Sequence, residues 1–171
     1  IVKKYAEYFE PKLNCVDVLE QYSADYQPPQ EPEPEPDHGP KRMNLLILGA
    51  GSQGPVVKEI AEAIGIFDEI AFLDDNPDNK LAIGPLSDLK MLVGRFPMAI
   101  PSFGDSLLRE KYMNLLEDQG YIVPSLIHPS VTLSPNAKLG RSIVIEARCI
   151  VSAGATIGRG ALLSGASVIE A

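Results

Sequence analysis

The chain has 171 residues, of which 45% are hydrophobic and 22% charged, a composition typical of a folded globular protein with one domain or two small ones. Its net charge of −8 argues against nucleic acid as a partner, and no apolar run approaches the roughly 18 residues of a membrane span. The two cysteines, Cys15 and Cys149, do not form a disulfide framework, so we expect free thiols in the reducing cytoplasm.

The charge is concentrated at the start of the chain. Residues 1–39 contain nine acidic and three basic residues, which leaves a net charge of only −2 for the rest. Residues 1–26 have weak helical spacing and are interpreted as the end of an upstream segment or a docking helix. Residues 27–42 alternate proline with acidic residues, so they are predicted to be an extended, disordered linker.

Residues 43–125 alternate short apolar runs with amphipathic stretches. Such alternation over about 80 residues predicts a small parallel α/β domain of the Rossmann-like kind. The predicted strands are Asn44–Leu48, Glu69–Leu73, 98–103 and 122–123, and the predicted helices are 56–64, 86–93 and 106–119, the last with Leu107, Leu108, Tyr112, Leu115 and Leu116 facing the core.

A glycine-rich loop lies between the first strand and the first helix. Gly49-x-Gly51-x-x-Gly54 has the spacing and the strand–helix context of a dinucleotide-binding fingerprint. Asp74 follows Gly54 by twenty residues, at the tip of the next strand, where a carboxylate can bind ribose hydroxyls. The pattern predicts a nucleotide ligand without specifying NAD, and a simple strand-end turn is the alternative role for Asp74 and Asp75.

The last quarter of the chain, residues 126–171, repeats every six residues. Neither a helix nor an alternating strand has this period, which is typical of a solenoid with three hexads in each triangular turn. The repeated aliphatic positions, predicted to fill the centre of the coil, are Ile127, Leu133, Leu139, Ile145, Val151, Ile157, Leu163 and Ile169.

A second series of smaller residues lies four positions after each aliphatic one. We expect these residues to let the chain turn its corners, helped by Gly140, Gly154, Gly158, Gly160 and Gly165. The chain begins at Ile1 and stops at Ala171 in mid-hexad, which favours a fragment with a truncated solenoid. The small series is Val131, Ala137, Ile143, Cys149, Ala155, Ala161 and Ser167.

The hexads resemble those of the hexapeptide-repeat acyltransferases, and a glycine-loop domain before them resembles the bacterial sugar acetyltransferases. That family includes the sialic acid O-acetyltransferases and the UDP-4-amino-sugar N-acetyltransferases of surface polysaccharide biosynthesis. The likeness covers residues 43–171. The motifs that carry it are Leu48-Gly-Ala-Gly-Ser-Gln-Gly54, Phe72-Leu-Asp-Asp75, Phe103-Gly-Asp105 with Arg109, and Ser125-Leu-Ile-His-Pro-Ser130.

The resemblance implies a left-handed parallel β-helix, a homotrimer, and acetyl-CoA as the acyl donor without a metal. It also implies that a nucleotide-activated sugar, UDP-linked by preference, binds at the glycine loop. Phosphates would lie beside the loop, ribose or base beside the paired aspartates, and the turn at Gly104 along the same cleft. The implied substrate-binding residues are Gly49, Gly51, Ser52, Gln53, Gly54, Asp74, Asp75, Gly104 and Asp105.

The sequence departs from the family pattern at two places. Gln53 and Pro55 replace the histidine and the basic residue that flank the third loop glycine in that family. The family's catalytic histidine ends a Val-Ile-Glu-His run, whereas this chain has Val168-Ile-Glu-Ala171. The catalytic base is therefore expected at or beyond Ala171, and His128 is interpreted as structural or sugar-contacting.

The sequence alone leaves three possible functions. The first is acetyl transfer to an amino or hydroxyl group of a nucleotide-sugar. The second is a non-catalytic nucleotide-sugar-binding protein, which Ala171 favours. The third is an NAD-binding domain, which the fingerprint and Asp74 allow. Glu146 and Glu170 are alternative bases by residue type, although both are predicted to be solvated, outward positions.

Overall fold

The structure is a computed structural model that describes residues 43–171, so the predicted segment 1–26 and the linker 27–42 lie outside the described residues. Residues 43–171 lie within one compact unit, in which a Rossmann-like domain is followed by a β-helix. None of the helices in this part of the chain combines the length and the apolar composition needed to cross a membrane.

The first part of the fold is a parallel four-stranded sheet in the order β3-β2-β1-β4. The central strand β1 is buried along its whole length, as expected for a parallel strand covered on both faces. Strand β4 stops at Pro101, two residues before the predicted end, and Ile122 adds a single parallel bridge beside Met98. The strands are β1 Asn44–Leu48, β2 Glu69–Leu73, β3 Ala82–Gly84 and β4 Met98–Pro101. Strand β3 was not predicted from the sequence.

Three helices cover this sheet: α1 Gln53–Ile64, α2 Leu89–Leu92 after a 3-10 turn at Leu86–Asp88, and α3 Ser106–Asp118. The alternating side chains of β1 divide between two core clusters, one shared with α1 and the other with α2 and α3.

The predicted inward face of α3 was wrong in its first turn. Leu107 is 77% exposed and Leu108 38% exposed, whereas Met113 and Leu116 are buried. The two leucines line surface cavities because the first turn of α3 begins past the carboxyl end of β4, away from the core cluster.

The hexads form eight two-residue parallel strands that pair at a spacing of 18 residues. The three resulting sheets are β5-β8-β11, β6-β9-β12 and β7-β10, which confirms three hexads per turn. The strands are β5 Leu126–Ile127, β6 Thr132–Leu133, β7 Lys138–Leu139, β8 Val144–Ile145, β9 Ile150–Val151, β10 Thr156–Ile157, β11 Leu162–Leu163 and β12 Val168–Ile169.

The repeated aliphatic positions face the centre of the coil, but their burial depends on their place in the stack. Ile145, Val151 and Ile157 are at most 5% exposed. Ile145 and Val151 have a neighbouring coil on each side, and Ile157 belongs to the same buried core cluster. Leu133 and Leu139, in the first coil, are 39% and 36% exposed, since only one neighbouring coil covers them.

The corners of the coil lie one residue earlier than predicted. Left-handed backbone angles occur at five positions spaced six apart, each directly before a residue of the small series. The small residues themselves, such as Cys149 and Ala155, face the core and are fully buried. Only two of the five predicted turn glycines adopt a left-handed φ. The corner residues are Ser142, Arg148, Gly154, Gly160 and Ala166.

Gly140 has a different role, because its φ is not left-handed. A Cβ at this position would lie 2.5 Å from the backbone N of Arg159 in the next coil. Gly140 therefore permits the close stacking of two coils rather than a turn.

The β-helix is attached to the Rossmann-like domain through one of its three outer faces. Leu126 and Val144, whose side chains point out of the coil, are buried in the same core cluster as Val57 and Ile60 of α1. Burial of apolar surface contributes about 25 cal/mol of stability for each Å² removed from water. The shared cluster therefore makes each part stabilise the other.

Gly140→Ala tests the close stacking of coils, and Gly158→Ala is its matched control at the equivalent hexad position. The new methyl at position 140 meets backbone atoms, so we expect a loss of about 1–3 kcal/mol in the free energy of unfolding. A Cβ at Gly158 meets no atom within 4 Å, so stability should be unchanged or raised by up to about 1 kcal/mol. Urea unfolding measures both; equal effects would contradict the stacking role.

Candidate functional site

A surface cleft of about 340 Å³ opens at the carboxyl ends of β1 and β4. The strand order reverses there, because the chain passes from β1 to β2 on one side and returns to β4 on the other. Ligands of open parallel sheets bind in the crevice at such a switch point. The lining residues are Gly49, Gly51, Ser52, Gln53, Asp74, Ser102, Phe103, Gly104, Asp105 and Leu108, which include seven of the nine predicted site residues.

The three loop glycines meet three different steric demands. Gly49 has a φ of 92°, and a Cβ there would lie 2.9 Å from the Phe103 ring. A Cβ at Gly54 would lie 2.6 Å from the carbonyl oxygen of Gly49, so this glycine lets α1 start against the loop. Gly51 has no atom within 4 Å of its Cβ position and is exposed, so it leaves the backbone accessible to a ligand.

Asp74 holds the glycine loop in place. Its Oδ2 accepts a hydrogen bond of 2.6 Å from the Ala50 backbone N–H, and its Oδ1 accepts one of 2.8 Å from Asn76 N–H. Asn79 Nδ2 donates to the Ala50 carbonyl at 2.9 Å. Both the donor and the acceptor of the Ala50 backbone are therefore fixed by side chains that follow β2.

Asp75 faces away from the cleft lining. Its Oδ1 accepts a hydrogen bond of 2.9 Å from Leu86 N–H, which secures the segment after β3. Burial raises the pKa of the Tyr112 hydroxyl, and the negative charge of Asp75 raises it further. The Tyr112 ring lies against the ring of Phe103, with centroids 5.0 Å apart. The structure thus separates the paired aspartates, with only Asp74 in the cleft.

Ser102 and Phe103 form the opposite wall, and sequence analysis missed both. Ser102 is buried, and its Oγ lies 2.6 Å from the Gly49 carbonyl oxygen and 2.9 Å from that of Leu48. The signal was available, since these two residues end a predicted strand at the same edge of the sheet as the glycine loop.

The two helices that begin at the cleft differ at their N-termini. Asp105 caps α3, because its Oδ1 accepts a hydrogen bond of 2.9 Å from Leu108 N–H. Helix α1 has no side-chain cap at Ser52 and no acidic residue in its first turn. The donors left at this terminus are the N–H groups of Ser52 and Gln53, which line the cleft, because Gly54 N–H bonds the Gly51 carbonyl at 3.2 Å and Pro55 has no N–H. Together with the positive end of the helix dipole, these two donors favour an anionic ligand.

The candidate bases lie in the β-helix and not in the cleft lining. His128 Nδ1 accepts from Ser130 N–H at 3.0 Å, and Ser130 Oγ accepts from Arg148 N–H at 3.0 Å, so this histidine supports a corner between coils. Glu146 is partly exposed at an outward position, and its Oε2 accepts a hydrogen bond of 2.8 Å from Gly165 N–H. Ala171 is exposed beside Gly154 of the neighbouring coil.

Metal-ligand geometry is absent from the part of the chain that the structure describes, where no group of three or more His, Cys, Asp or Glu side chains could hold an ion. Cys149 is buried in the coil, and its Sγ lies 3.2 Å from the Ser164 carbonyl oxygen, as expected for an inert core thiol.

Comparison with known proteins identifies the Rossmann-like part. Residues 44–116 match the PglD N-terminal domain family. The acetyltransferase domain of PglB from Neisseria gonorrhoeae is 31% identical and superposes with a TM-score of 0.68, over 74% of this chain and 64% of that one. The chain is therefore similar to this acetyltransferase domain in both sequence and fold, and its Rossmann-like part matches the PglD N-terminal domain family.

A second solved structure is similar over the same share of the chain. PerB from Caulobacter crescentus, solved with CoA and GDP-perosamine, is 28% identical with a TM-score of 0.68, over 74% of this chain and 62% of that one. The Neisseria domain was also solved with acetyl coenzyme A. The present chain therefore spans less than two thirds of the length of these relatives.

Asp74→Ala tests whether this carboxylate holds the glycine loop. Ala50 N–H loses a charged hydrogen bond of about 1.5–3 kcal/mol, so its amide exchange should accelerate about tenfold or more. Asp75→Ala is the matched control, because it frees Leu86 N–H and leaves Ala50 protected. Hydrogen exchange by NMR reads both amides. Equal protection of Ala50 in the two variants would contradict the assignment.

Proposed function

We propose that the protein transfers an acetyl group from acetyl-CoA to an amino or hydroxyl group of a nucleotide-activated sugar, which binds in the cleft. The observation that carries this proposal is the N-terminus of α1, where Ser52 and Gln53 line the cleft beside the open backbone of Gly51. The similarity to solved acetyltransferases supports it, because one similar protein was solved with a nucleotide-sugar and CoA and another with acetyl coenzyme A.

In this proposal the diphosphate of the substrate lies against Gly51 and the start of α1, where the Ser52 and Gln53 N–H groups and the helix dipole stabilise its charge. Gln53 donates a further hydrogen bond. Asp74 accepts from a ribose hydroxyl in addition to the backbone, since each carboxylate oxygen has two lone pairs. Gly104 and Asp105 border the same ligand on the opposite wall.

Acetyl transfer needs a base that removes a proton from the attacking amine or hydroxyl as it reaches the thioester carbonyl. It also needs a donor for the oxyanion of the tetrahedral intermediate. The run Val168-Ile-Glu-Ala171 resembles the family's Val-Ile-Glu-His, whose last residue is the base, so the proposal requires a base other than Ala171 itself. His128 and Glu146 serve the β-helix itself, because both are held by backbone N–H groups of the coil.

The same proposal includes a left-handed coil, a homotrimer, a UDP-linked substrate and a cytoplasmic role in surface polysaccharide synthesis. The resemblance supports the trimer, since hexapeptide acyltransferases build their active sites between neighbouring β-helices. The β6-β9-β12 sheet also presents apolar side chains outward, with Ile150 43% and Val168 56% exposed.

A non-catalytic nucleotide-sugar-binding protein is the alternative, and one observation favours it. Ala171 occupies the position of the family's catalytic histidine, and its methyl group carries no proton-transfer chemistry. An NAD-binding domain is less well supported, because a β-helix does not usually supply a nicotinamide site.

Calorimetric titration with UDP-N-acetylglucosamine, GDP-mannose and NADH tests the proposed ligand, with Gly51→Leu and Gly94→Leu as a matched pair. Neither glycine has an atom within 4 Å of its Cβ position or a left-handed φ, so both variants should fold. Only Gly51 lines the cleft, so Gly51→Leu should weaken nucleotide-sugar binding by about tenfold or more, or 1.4 kcal/mol, while Gly94→Leu binds like the wild type.

Tight NADH binding without a response to either nucleotide-sugar would contradict the proposal. If binding is found, release of the CoA thiol from acetyl-CoA in the presence of a UDP-4-amino-sugar separates the two remaining functions. Thiol release supports the transferase, and its absence with intact binding supports the non-catalytic protein.

A further inference from the structure

Arg109 joins the wall of the cleft to the β-helix. Its Nη1 donates hydrogen bonds of 2.9 Å to the carbonyl oxygens of Phe103 and Gly104. From the other side of the same guanidinium, Nε donates a hydrogen bond of 3.3 Å to the carbonyl oxygen of Gly160. One planar group therefore contacts both the loop after β4 and a corner of the coil.

The corner that Arg109 contacts is itself firmly held. Gly160 is buried, has a left-handed φ of 69°, and donates its N–H to the Arg141 carbonyl at 3.0 Å. A Cβ at Gly160 would clash with the side chain of Met113 on α3, so helix and coil are in direct contact here. The corner thus provides a fixed point for the guanidinium.

The loop end of the bridge has few other restraints. Gly104 is exposed, carries no side chain, and has no atom within 4 Å of its Cβ position. Phe103 is held by its ring contact with Tyr112, and the Asp105 side chain caps α3. Among the described residues, Arg109 is therefore the side chain that hydrogen-bonds the carbonyl oxygens of Phe103 and Gly104.

We propose that Arg109 is a positioning residue, which fixes the Phe103-Gly104 wall of the cleft relative to the β-helix. This inference rests on the proposed function, because the consequence of a fixed wall is tighter binding of the nucleotide-sugar. Arginine suits the role, since its rigid fork presents several N–H donors at fixed angles, whereas lysine offers a single nitrogen.

Arg159 provides a matched control from the opposite side of the same contact. Its Nη1 donates to Asn114 Oδ1 at 2.9 Å, and its Nη2 lies 3.1 Å from Glu117 Oε2. Like Arg109, it links the β-helix to α3, but neither of its partners lines the cleft. A merely structural link between helix and coil would make the two arginines equivalent.

The test compares R109M, R109K and R159M in the full chain. Hydrogen exchange of the peptide spanning residues 102–108 should accelerate about tenfold in R109M, partly recover in R109K, and match the wild type in R159M. The Kd for UDP-N-acetylglucosamine or GDP-mannose, whichever the wild type binds, should rise about fivefold or more in R109M and stay unchanged in R159M.

Wild-type exchange and affinity in R109M would overturn the inference, as would equal effects of R109M and R159M. If R109M fails to fold, R109K carries the test, because its single nitrogen cannot bridge all three carbonyls. Faster exchange of the loop in R109M, together with no nucleotide-sugar binding by the wild type, would confirm the positioning contact and overturn the proposed ligand.

Discussion

The turn after β1 is held by the segments that follow two neighbouring strands, and the geometry of the cleft depends on this arrangement. After β2, Asp74 binds the Ala50 N–H; after β4, Ser102 binds the Gly49 carbonyl. Two of the three loop glycines allow these contacts sterically, since side chains at Gly49 or Gly54 would collide with Phe103 or with the loop itself. The result is a preorganised loop in which Gly51 is the one of the three glycines with open space around its Cβ position.

The same arrangement explains why one helix terminus and not the other is available. Asp105 uses a carboxylate oxygen to cap α3, whereas α1 begins at the held loop without a side-chain cap. The β-helix then closes the unit from two directions, through Leu126 and Val144 against α1 and through Arg109 against the loop after β4. The coil is therefore coupled to both walls of the cleft.

Much of this architecture was predictable because it depends on local sequence patterns. The glycine spacing, the tip of β2 and the period of six predicted the parallel sheet, the location of the cleft and three hexads per turn. The corner positions were not, since a left-handed φ at Ser142 or Arg148 is imposed by the closing of the coil and not by residue type. The separate roles of Asp74 and Asp75 were equally hidden, because adjacent residues at a strand end point in different directions.

The most direct test of the account is a crystal structure of the protein with a bound nucleotide-sugar. We predict the diphosphate within hydrogen-bonding distance of the Ser52 and Gln53 N–H groups at the start of α1, in contact with Gly51, and a ribose hydroxyl beside Asp74. A nucleotide bound elsewhere, or a diphosphate displaced from α1 with the glycine loop rearranged, would contradict it.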